Sequence, residues 1–377
     1  MKKYVLILLA IMLSPKPANA QNAESQTKEV PLKIAVIGLT HTHVHWIFDS
    51  EKRGGFEIVA IVEPNRDLAR RYAEQHGYSM NLVYPDSQSM LKAVTPEAVT
   101  AFGTIYEHLE VVETFAPLGI HVMVEKPLAV SMEHAQRMAE LARTHGIYLL
   151  TNYETTWYPS NHLAYRKVVQ EGTIGDIRKV VIRDGHRGPK KIGINAEFLD
   201  WLTDPMQNGG GALTDFGCYG ANLLTWLHQG RRPVSVTALT QQLQAENNPK
   251  VEDEAIILVE YPNAVGIIQG SWNWPIGRKD MEIYGLTGAV FADNRNSLRI
   301  RMAEGYDGFK EEAFELEERP APINDPFTYF AGVIRGTIPV APADLSALEN
   351  NLVVVEILDA ARESASSGQR IYLNQEK

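Results

Sequence analysis

The chain has almost no cysteine, and Cys218 is the one thiol among its 377 residues. One cysteine excludes an intrachain disulfide and any metal site built from several thiolates. Positive charge is also scarce, since 36 lysines and arginines face 46 aspartates and glutamates and give a formal net charge of −10. A negative chain without basic runs is a poor partner for nucleic acid or an anionic membrane surface. The hydrophobic content of 45% is that of an ordinary globular protein, and the length allows two domains.

The apolar run near the N-terminus is too short to span a bilayer, because it covers only residues 4–13. Two lysines precede this run, and an A-x-A cleavage site that ends at Ala20 follows it. This order predicts a secretory signal peptide over residues 1–20, removed on export to the periplasm or the medium. A loose linker is predicted over residues 21–30. A buried N-terminal helix is the alternative.

Glycine is missing where a nucleotide-binding turn needs it. The stretch KIAVIGLTHTHVHW, from Lys33 to Trp46, starts as an apolar strand, breaks at Gly38 and continues into an amphipathic helix. Strand, glycine turn and helix open a dinucleotide-binding βαβ unit, in which glycines bring backbone amides close to a pyrophosphate. The fingerprint has three glycines, but Thr40 and His43 occupy the second and third positions. The side chains of Thr40 and His43 therefore stand where the fingerprint lets backbone amides approach the pyrophosphate closely.

Three alternating histidines, His41, His43 and His45, stand in this turn. Alternating imidazoles bind divalent metals on strands and loops, so a manganese or zinc site is one interpretation. In a second interpretation the turn still contacts a dinucleotide, with one imidazole facing phosphate. A third is structural, with His45 and His41 packed on a helix face. Further metal ligands would come from Asp215, Glu154 or His186.

Strands alternate with helices up to about residue 150, which predicts a parallel, doubly wound sheet. From residue 151 onward, β-rich runs of alternating polarity indicate a mostly antiparallel sheet with one packed and one solvated face. We therefore predict an α/β protein with a Rossmann-type dinucleotide-binding domain over residues 31–150. A C-terminal α/β domain over residues 151–377 would bind substrate and form oligomers, and its last helix is expected to pack on the N-terminal domain.

Three motifs together resemble the Gfo/Idh/MocA family, named for glucose–fructose oxidoreductase, inositol dehydrogenase and a rhizopine catabolism protein. Glu125-Lys126-Pro127 ends a strand where that family has its EKP motif, and TIYEH, which ends at His108, is similar to its TPxxxH-like turn. The block NGGGALTDFGCYGAN resembles the family's GGGxLxDxGxHxxD. Tyr219 replaces the usual histidine of that block and Asn222 the aspartate, as in the glucose–fructose oxidoreductase and dihydrodiol dehydrogenase branch.

The resemblance implies NAD(P) as cofactor, a small carbohydrate or glycoside as substrate, and a homo-oligomer. The residues that it places around the cofactor are Gly38, Thr40, His43, Glu63, His108, Glu125 and Lys126. Glu63 has roughly the spacing from Gly38 of the acidic residue that meets the ribose hydroxyls in Rossmann domains, although a helix cap explains the same position.

Lys126 follows a strand and precedes a proline, which places it at the carboxyl edge of the sheet, where open α/β sheets bind ligands. A lysine there can hydrogen-bond a sugar hydroxyl and, with a pKa lowered by burial, transfer its proton. A salt bridge is the alternative. Asp215 and Tyr219 have the i, i+4 spacing of one helical face, so the carboxylate can orient the phenol and a nearby lysine can lower its pKa. The family resemblance implies that the tyrosine is the acid or base, whereas a buried Tyr–Asp hydrogen bond is the structural alternative.

His186 lies in a glycine-rich loop after a strand, where a histidine is expected to face a ligand. We expect it to share the acid–base work. Tyr153, Trp157 and Tyr158 follow the sixth strand, and their aromatic faces suit stacking on a sugar ring, although core packing explains each of them equally well.

The predicted export and the altered glycine turn favour an enzyme that cleaves glycosidic bonds. Several branches of the family resemble oxidoreductases but act as glycosidases, which oxidise a ring hydroxyl with tightly held NAD, eliminate the aglycone, add water and reduce the product; others use a divalent metal. Lys126, Tyr219 and His186 would share this work. The alternative is an NAD(P)-dependent sugar oxidoreductase with tightly bound cofactor. A third possibility is a sugar-binding protein on an inactive fold.

Overall fold

The computed structural model describes residues 30–373, so the predicted signal peptide and nearly all of the predicted linker lie outside the described residues. The N-terminal domain is built on a parallel sheet of six strands in the order β3-β2-β1-β4-β5-β6. These strands are β1 (Leu32–Ile37), β2 (Phe56–Val62), β3 (Val83–Tyr84), β4 (Ala98–Ala101), β5 (His121–Glu125) and β6 (Leu149–Asn152). Their apolar residues are buried, as expected for a sheet covered by helices on both faces.

Helices connect these strands. They are α1 (Val44–Glu51), α2 (Arg66–His76), α3 (Ser87–Leu91), α4 (His108–Phe115) and α5 (Met132–His145). Local sequence sets their ends. The Asn65 side chain accepts the amides of Asp67 and Leu68 at the start of α2, and Gly77 ends that helix at a φ of 83°. Ser131 caps α5 in the same way through the amide of His134.

The C-terminal domain contains a nine-stranded sheet in the order β14-β13-β12-β11-β7-β10-β9-β8-β15. Its strands are β7 (Lys179–Gly185), β8 (Ser235–Gln241), β9 (Glu254–Tyr261), β10 (Ala264–Ser271), β11 (Arg278–Tyr284), β12 (Gly288–Ala292), β13 (Ser297–Glu304), β14 (Gly308–Glu315) and β15 (Ile371–Tyr372). The β7–β10 pair is parallel and the other neighbouring pairs are antiparallel. The predicted fold class is confirmed.

The helices of this part are α6 (Pro159–Tyr165), α7 (Pro189–Ile192), α8 (Ala196–Leu202), α9 (Pro205–Asn208), α10 (Ala212–Asp215), α11 (Gly217–Leu227), α12 (Pro326–Ile334) and α13 (Leu348–Ser367). Two of them return to the N-terminal domain. Phe327 and Phe330 of α12 belong to the apolar cluster around β1, and Leu348 and Val355 of α13 belong to the cluster on the other face of that sheet. Within residues 30–373, no helix combines the length and the apolar character needed to cross a membrane.

Candidate active site

A cavity of about 570 Å³ opens at the carboxyl edge of the N-terminal sheet. Parallel strands end there, so the residues that follow them meet at one place. Several of the predicted site residues line this cavity, namely His41, His43, Lys126, His186, Asp215 and Tyr219. Glu154, Tyr158 and Lys279, to which the sequence patterns assign no catalytic role, line it as well.

Lys126 follows the last residue of β5 and is almost fully buried, with 6% of its surface exposed. Its ammonium donates to the main-chain oxygen of Asp215 at 2.9 Å and, in a shorter contact, to Oδ1 of the same residue. The other carboxylate oxygen of Asp215 accepts from Nε1 of Trp272 at 2.9 Å. The salt bridge given as the alternative for Lys126 is thus present, and Asp215 is its partner.

This ion pair decides the charge of both residues. Burial alone would lower the pKa of Lys126, but the carboxylate of Asp215 raises it above its ordinary value. Burial likewise opposes the charge of Asp215, and Lys126 lowers its pKa. The expectation of a lysine whose pKa is lowered by burial is therefore wrong. Lys126 is a fixed cation, because a buried charge with a hydrogen-bonded partner stays ionised.

Tyr219 is buried beside this pair, with Nζ of Lys126 lying 5.0 Å from the centre of its ring. Asp215 and Tyr219 are not on one continuous helix, because α10 ends at Asp215 and α11 begins at Gly217. Burial raises the pKa of Tyr219 well above its ordinary value, and the carboxyl groups of Glu154 and Asp184 act in the same direction. The lowered phenol pKa expected from the sequence is thus not found, and the free Tyr219 is a neutral phenol.

Sequence reasoning missed a second ion pair in the cavity wall. Lys279 of β11 donates to Oε2 of Glu154 at 2.5 Å, and Oε1 of Glu154 accepts from the Tyr158 hydroxyl at 2.6 Å. Burial opposes the charge of Glu154, but Lys279 lowers its pKa to about 2. The signal was present in β11, where Lys279 precedes Met281 and Ile283 on the side of the strand that alternation assigns to the core.

His186 lies in the cavity wall, as its glycine-rich loop suggests. Its ring stands edge-on to Phe216 at 4.9 Å, and its Nδ1 accepts the amide of Gly188 at 3.0 Å. Burial lowers the pKa of His186, so the neutral imidazole is its resting form. Because Nδ1 is an acceptor, the neutral ring carries its proton on Nε2.

Two of the three aromatic residues predicted to stack on substrate, Tyr153 and Trp157, are core residues instead. Tyr153 is fully buried and packs edge-on to Tyr219, while Trp157 is 3% exposed and donates from Nε1 to Asn152. Neither lines the cavity, whereas Tyr158 does. The packing alternative is therefore correct for both, because the turn after β6 directs only Tyr158 and Glu154 outward.

The three histidines of the glycine turn have two different surroundings. His43 Nδ1 lies 2.8 Å from Oε2 of Glu125, and His41 Nε2 lies 4.0 Å from the same oxygen. His45 Nδ1 instead pairs with Nε2 of His76 at 2.7 Å. The predicted trio of metal ligands is therefore wrong for His45, because the helical turn that begins at Val44 rotates its ring away from the other two.

His41, His43 and Glu125 offer ligand atoms within 4.8 Å of one another, which is close enough for one metal ion. Burial opposes the charge of Glu125, but the two histidines lower its pKa to about 2, and it is ionised. His41 Nδ1 accepts the amide of His43 at 3.1 Å. That hydrogen bond puts the proton of neutral His41 on Nε2, so coordination through Nε2 would have to displace it.

The same turn has few features of a dinucleotide-binding turn. Gly38 has a φ of 78°, and a Cβ there would lie 2.8 Å from the amide nitrogen of Gly103, so only glycine fits. Several amides that would face a pyrophosphate are bonded internally: Leu39 to Glu63 Oε2, His41 to the Phe102 oxygen and Val44 to the His41 oxygen. The turn therefore differs from the fingerprint in its donors as well as its glycines.

Two further predicted cofactor residues bear on this fit. Glu63 is 3% exposed and accepts the amides of Leu39 and Asn65, while Asn65 and not Glu63 caps α2, so Glu63 ties the glycine turn to the end of β2. Burial raises its pKa. Thr40 accepts a hydrogen bond from Nε1 of Trp201 at 3.1 Å, which brings α8 over the turn.

A second cavity, of about 210 Å³, lies at the ends of β1, β2 and β4. Gly38, Gly103 and His108 are among its lining residues, and His108 Nε2 is buried without a hydrogen-bond partner. His108 Nδ1 lies 3.1 Å from the Leu128 oxygen, and burial lowers its pKa to about 4. A wall of mixed apolar and polar residues with one unsatisfied polar atom fits the adenosine half of a dinucleotide.

Comparison with known proteins agrees with this geometry. A model of the oxidoreductase family with an NAD-binding Rossmann fold, GFO/IDH/MocA, matches residues 32–153. The model of the GFO/IDH/MocA C-terminal domain matches residues 162–291. The chain belongs to the GFO/IDH/MocA family.

Individual relatives have low sequence identity to this chain, but the similarity extends over most of both proteins. D-glucoside 3-dehydrogenase of Escherichia coli (strain K12) is 24% identical over 357 residues, 91% of this chain and 98% of that protein. Trans-1,2-dihydrobenzene-1,2-diol dehydrogenase of Macaca fuscata fuscata is 25% identical over 244 residues, 64% of this chain and 67% of that protein. A solved levoglucosan dehydrogenase in complex with NADH and levoglucosan has a TM-score of 0.75 at 20% identity and covers 92% of this chain and 100% of its own.

These relatives correct the predicted activity. The prediction of a glycoside hydrolase is wrong, because the matching proteins are dehydrogenases and the family model is that of oxidoreductases. The alternative prediction, an oxidoreductase of this family with an NAD-binding fold, is the one that agrees with them. The predicted metal and the predicted export receive no support from the comparisons and stay predictions.

Proposed function

We propose that this protein is an NAD(P)-dependent oxidoreductase that interconverts a secondary hydroxyl and a carbonyl group of a small carbohydrate or glycoside. The observation that carries the proposal is the buried Lys126–Asp215 pair beside Tyr219 at the carboxyl edge of the Rossmann sheet. Family membership supports the redox class, and the printed names of the relatives support a polyhydroxylated substrate.

Lys126 is suited to hold the substrate oxygen. An ammonium has three N–H donors, and Asp215 takes two of them, so one is available to an oxygen in the cavity that Lys126 lines. Because the cation is fixed by Asp215 and Trp272, it needs no reorganisation when charge develops on the reacting oxygen.

Tyr219 is suited to move the proton. Its burial keeps the phenol neutral, so it can donate a proton to a carbonyl oxygen in the reducing direction. In the oxidising direction the phenol first releases its proton to solvent, and the phenolate, whose negative charge Lys126 offsets, then accepts the proton of the substrate hydroxyl. NAD(P), when bound with its adenosine half in the cavity near Gly38 and Gly103, supplies the hydride chemistry.

His186 can assist at a second substrate hydroxyl, since its Nε2 carries a proton and its ring lines the same cavity. The mixed wall of the cavity suits a sugar, because it offers charged donors as well as the aromatic faces of Tyr158 and Phe216. We therefore place the pyranose ring of the substrate between His186 and Tyr219.

The proposal is tested by incubating the purified protein with NAD⁺ or NADP⁺ and a panel of methyl glycosides, free aldoses and cyclic diols. Formation of reduced cofactor is followed by its absorbance, and the ketone product is identified by nuclear magnetic resonance. Nucleotide released by denaturing the protein reports cofactor that stays bound. Tyr219→Phe is the matched control. The proposal would be refuted if the protein held no bound nucleotide and reduced the cofactor with no substrate of the panel.

We also propose that the protein is exported after removal of residues 1–20, as its positive, apolar and A-x-A segments suggest. Fractionation of the source cells and N-terminal sequencing test this. A mature chain that begins at Gln21 outside the cytoplasm is the expected result, and an intact Met1 in the cytoplasm would contradict it. A homo-oligomer formed by the C-terminal domain is part of the same proposal, and light scattering of the mature chain would test it.

A further inference from the structure

Lys279 lies outside the three family motifs, but it stands at the centre of the cavity. It pairs with Asp184 across the antiparallel β7–β11 ladder, so the two side chains project from the same face of the sheet. Val180 and Ile182 of β7 and Met281 and Ile283 of β11 share that face and are core residues. A lysine therefore replaces an apolar residue at the end of a buried row.

Glu154 fixes its ammonium, and Tyr158 in turn fixes Glu154. Glu154 Oε2 accepts from Lys279 Nζ at 2.5 Å, and the Tyr158 hydroxyl holds the other oxygen of that carboxylate. From this position Nζ of Lys279 lies 4.2 Å from the centre of the Tyr219 ring, closer than the 5.0 Å of Lys126. Lys279 is therefore the nearer of the two cations to the centre of the Tyr219 ring.

We propose that Lys279, held in place by Glu154, is a positioning residue that stabilises negative charge on the Tyr219 phenol during proton transfer to and from the substrate. A cation over the face of an aromatic ring is attracted by its quadrupole, and the attraction grows when the phenol loses its proton. This inference rests on the proposed function of Tyr219 and adds a residue that the family motifs do not contain.

The proton balance is simple. In oxidation, the Tyr219 phenol has first lost its proton to solvent, the O–H proton of the substrate passes to the phenolate oxygen, and bound NAD(P)⁺ would accept the hydride from the carbon. In reduction, the phenol gives its proton to the carbonyl oxygen and regains one from solvent, and bound NAD(P)H would supply the hydride to the carbon. Lys279 neither gains nor loses a proton in either direction and acts only through its charge.

The charges around Tyr219 come from every element packed on it. Titratable groups that face it are Lys126 after β5, Tyr153 and Glu154 after β6, Asp184 and His186 at the end of β7, Asp215 of α10, Cys218 of α11 and Lys279 of β11. Burial raises the pKa of Asp184 well above its ordinary value, and neither of its carboxylate oxygens has a hydrogen-bond partner. The positive charges of the two lysines therefore favour ionisation of the Tyr219 phenol, whereas burial and the carboxylates Glu154 and Asp215 oppose it.

The test is an ultraviolet titration of tyrosinate in the full chain, in which the curve of Tyr219→Phe is subtracted to isolate one phenol. Lys279→Gln keeps a donor for Glu154 but removes the charge. We expect it to move the Tyr219 transition upward by about one pH unit or more, and to lower kcat about tenfold at a fixed pH on the rising limb of the oxidation profile. Lys279→Arg should restore both, since it keeps the cation.

Lys310→Met, at an exposed lysine of β14, is the control for removal of one positive charge. An unshifted Tyr219 transition in folded Lys279→Gln would overturn the proposal. So would a changed KM with an unchanged pH profile, because that result assigns Lys279 to substrate binding. If Lys279→Gln does not fold, Lys279→Met and the Lys279→Arg titration replace it. The tyrosinate readout needs no turnover, so failure of the proposed oxidoreductase activity is distinguishable from failure of this inference.

Discussion

Asp215 binds the ammonium of Lys126 through two of its own oxygens, the main-chain carbonyl at 2.9 Å and Oδ1 in a shorter contact. This double contact joins the end of a strand in one domain to a helix end in the other. The cavity lined by Lys126 and Asp215 therefore lies where the two domains meet, and the position of the Lys126 ammonium depends on both.

The first prediction concerns Lys126, proposed to hold the substrate oxygen, and Tyr219, proposed to transfer the proton. Lys126→Met and Tyr219→Phe should each lower kcat by about two to four decades, because a positioned charge and a positioned acid–base group each contribute on that order. Steady-state kinetics with the best substrate of the panel measures it, and circular dichroism checks the fold. Full activity of both variants would remove these residues from the mechanism.

Glu154 should make stability depend on pH. Its pKa of about 2 in the folded protein is below the ordinary value of 4.5, so its contribution is complete above pH 4.5 and is lost as the pH falls towards 2. Between pH 4.5 and 2, the free energy of unfolding of Glu154→Gln should therefore fall by on the order of 2 kcal/mol less than that of the unsubstituted protein. Urea titrations at several pH values measure this. The exposed Glu317→Gln is the control, and equal slopes for the two variants would contradict the prediction.

The metal prediction now concerns His41, His43 and Glu125. If a divalent ion binds there, His43→Ala and Glu125→Gln should each lose most of the manganese or zinc that elemental analysis finds after dialysis. His45→Ala should retain it, because His45 pairs with His76 instead. Stoichiometric metal in Glu125→Gln, or none in the wild-type protein after incubation with either ion, would argue against the site.

The glycine turn offers a matched pair of substitutions. Gly38→Ala forces a Cβ to 2.8 Å from the Gly103 amide nitrogen, whereas a Cβ at Gly77 has no neighbour within 4 Å. Both residues have positive φ, so both variants carry the same backbone strain of about 1–2 kcal/mol. Gly38→Ala should cost about 1–3 kcal/mol more because of the added overlap. Thermal unfolding of the two variants compares them, and equal melting temperatures would show that the turn can relax.

The sequence alone was sufficient for the architecture and for much of the site. Strand–helix alternation and buried apolar runs predicted the Rossmann domain, because both are local patterns set by the period of each element. The motifs around Lys126, Asp215 and Tyr219 were equally readable. The sequence alone did not predict the strands β13 and β14. The edge strand β14 has mostly exposed, charged side chains, so it lacks the apolar alternation of a half-buried strand.

Only the tertiary structure decided which of these groups meet. His43 faces Glu125 while His45, two residues on, faces His76, because a helix begins between them. Lys279 reaches Glu154 from 125 residues away because β11 lies beside β7 in the sheet. The charge state of Lys126 also differs from the expectation. Burial lowers its pKa and the ion pair raises it, and only the distance to Asp215 shows which effect is larger. Contacts between distant segments depend on strand order and domain packing, which no local pattern in the chain encodes.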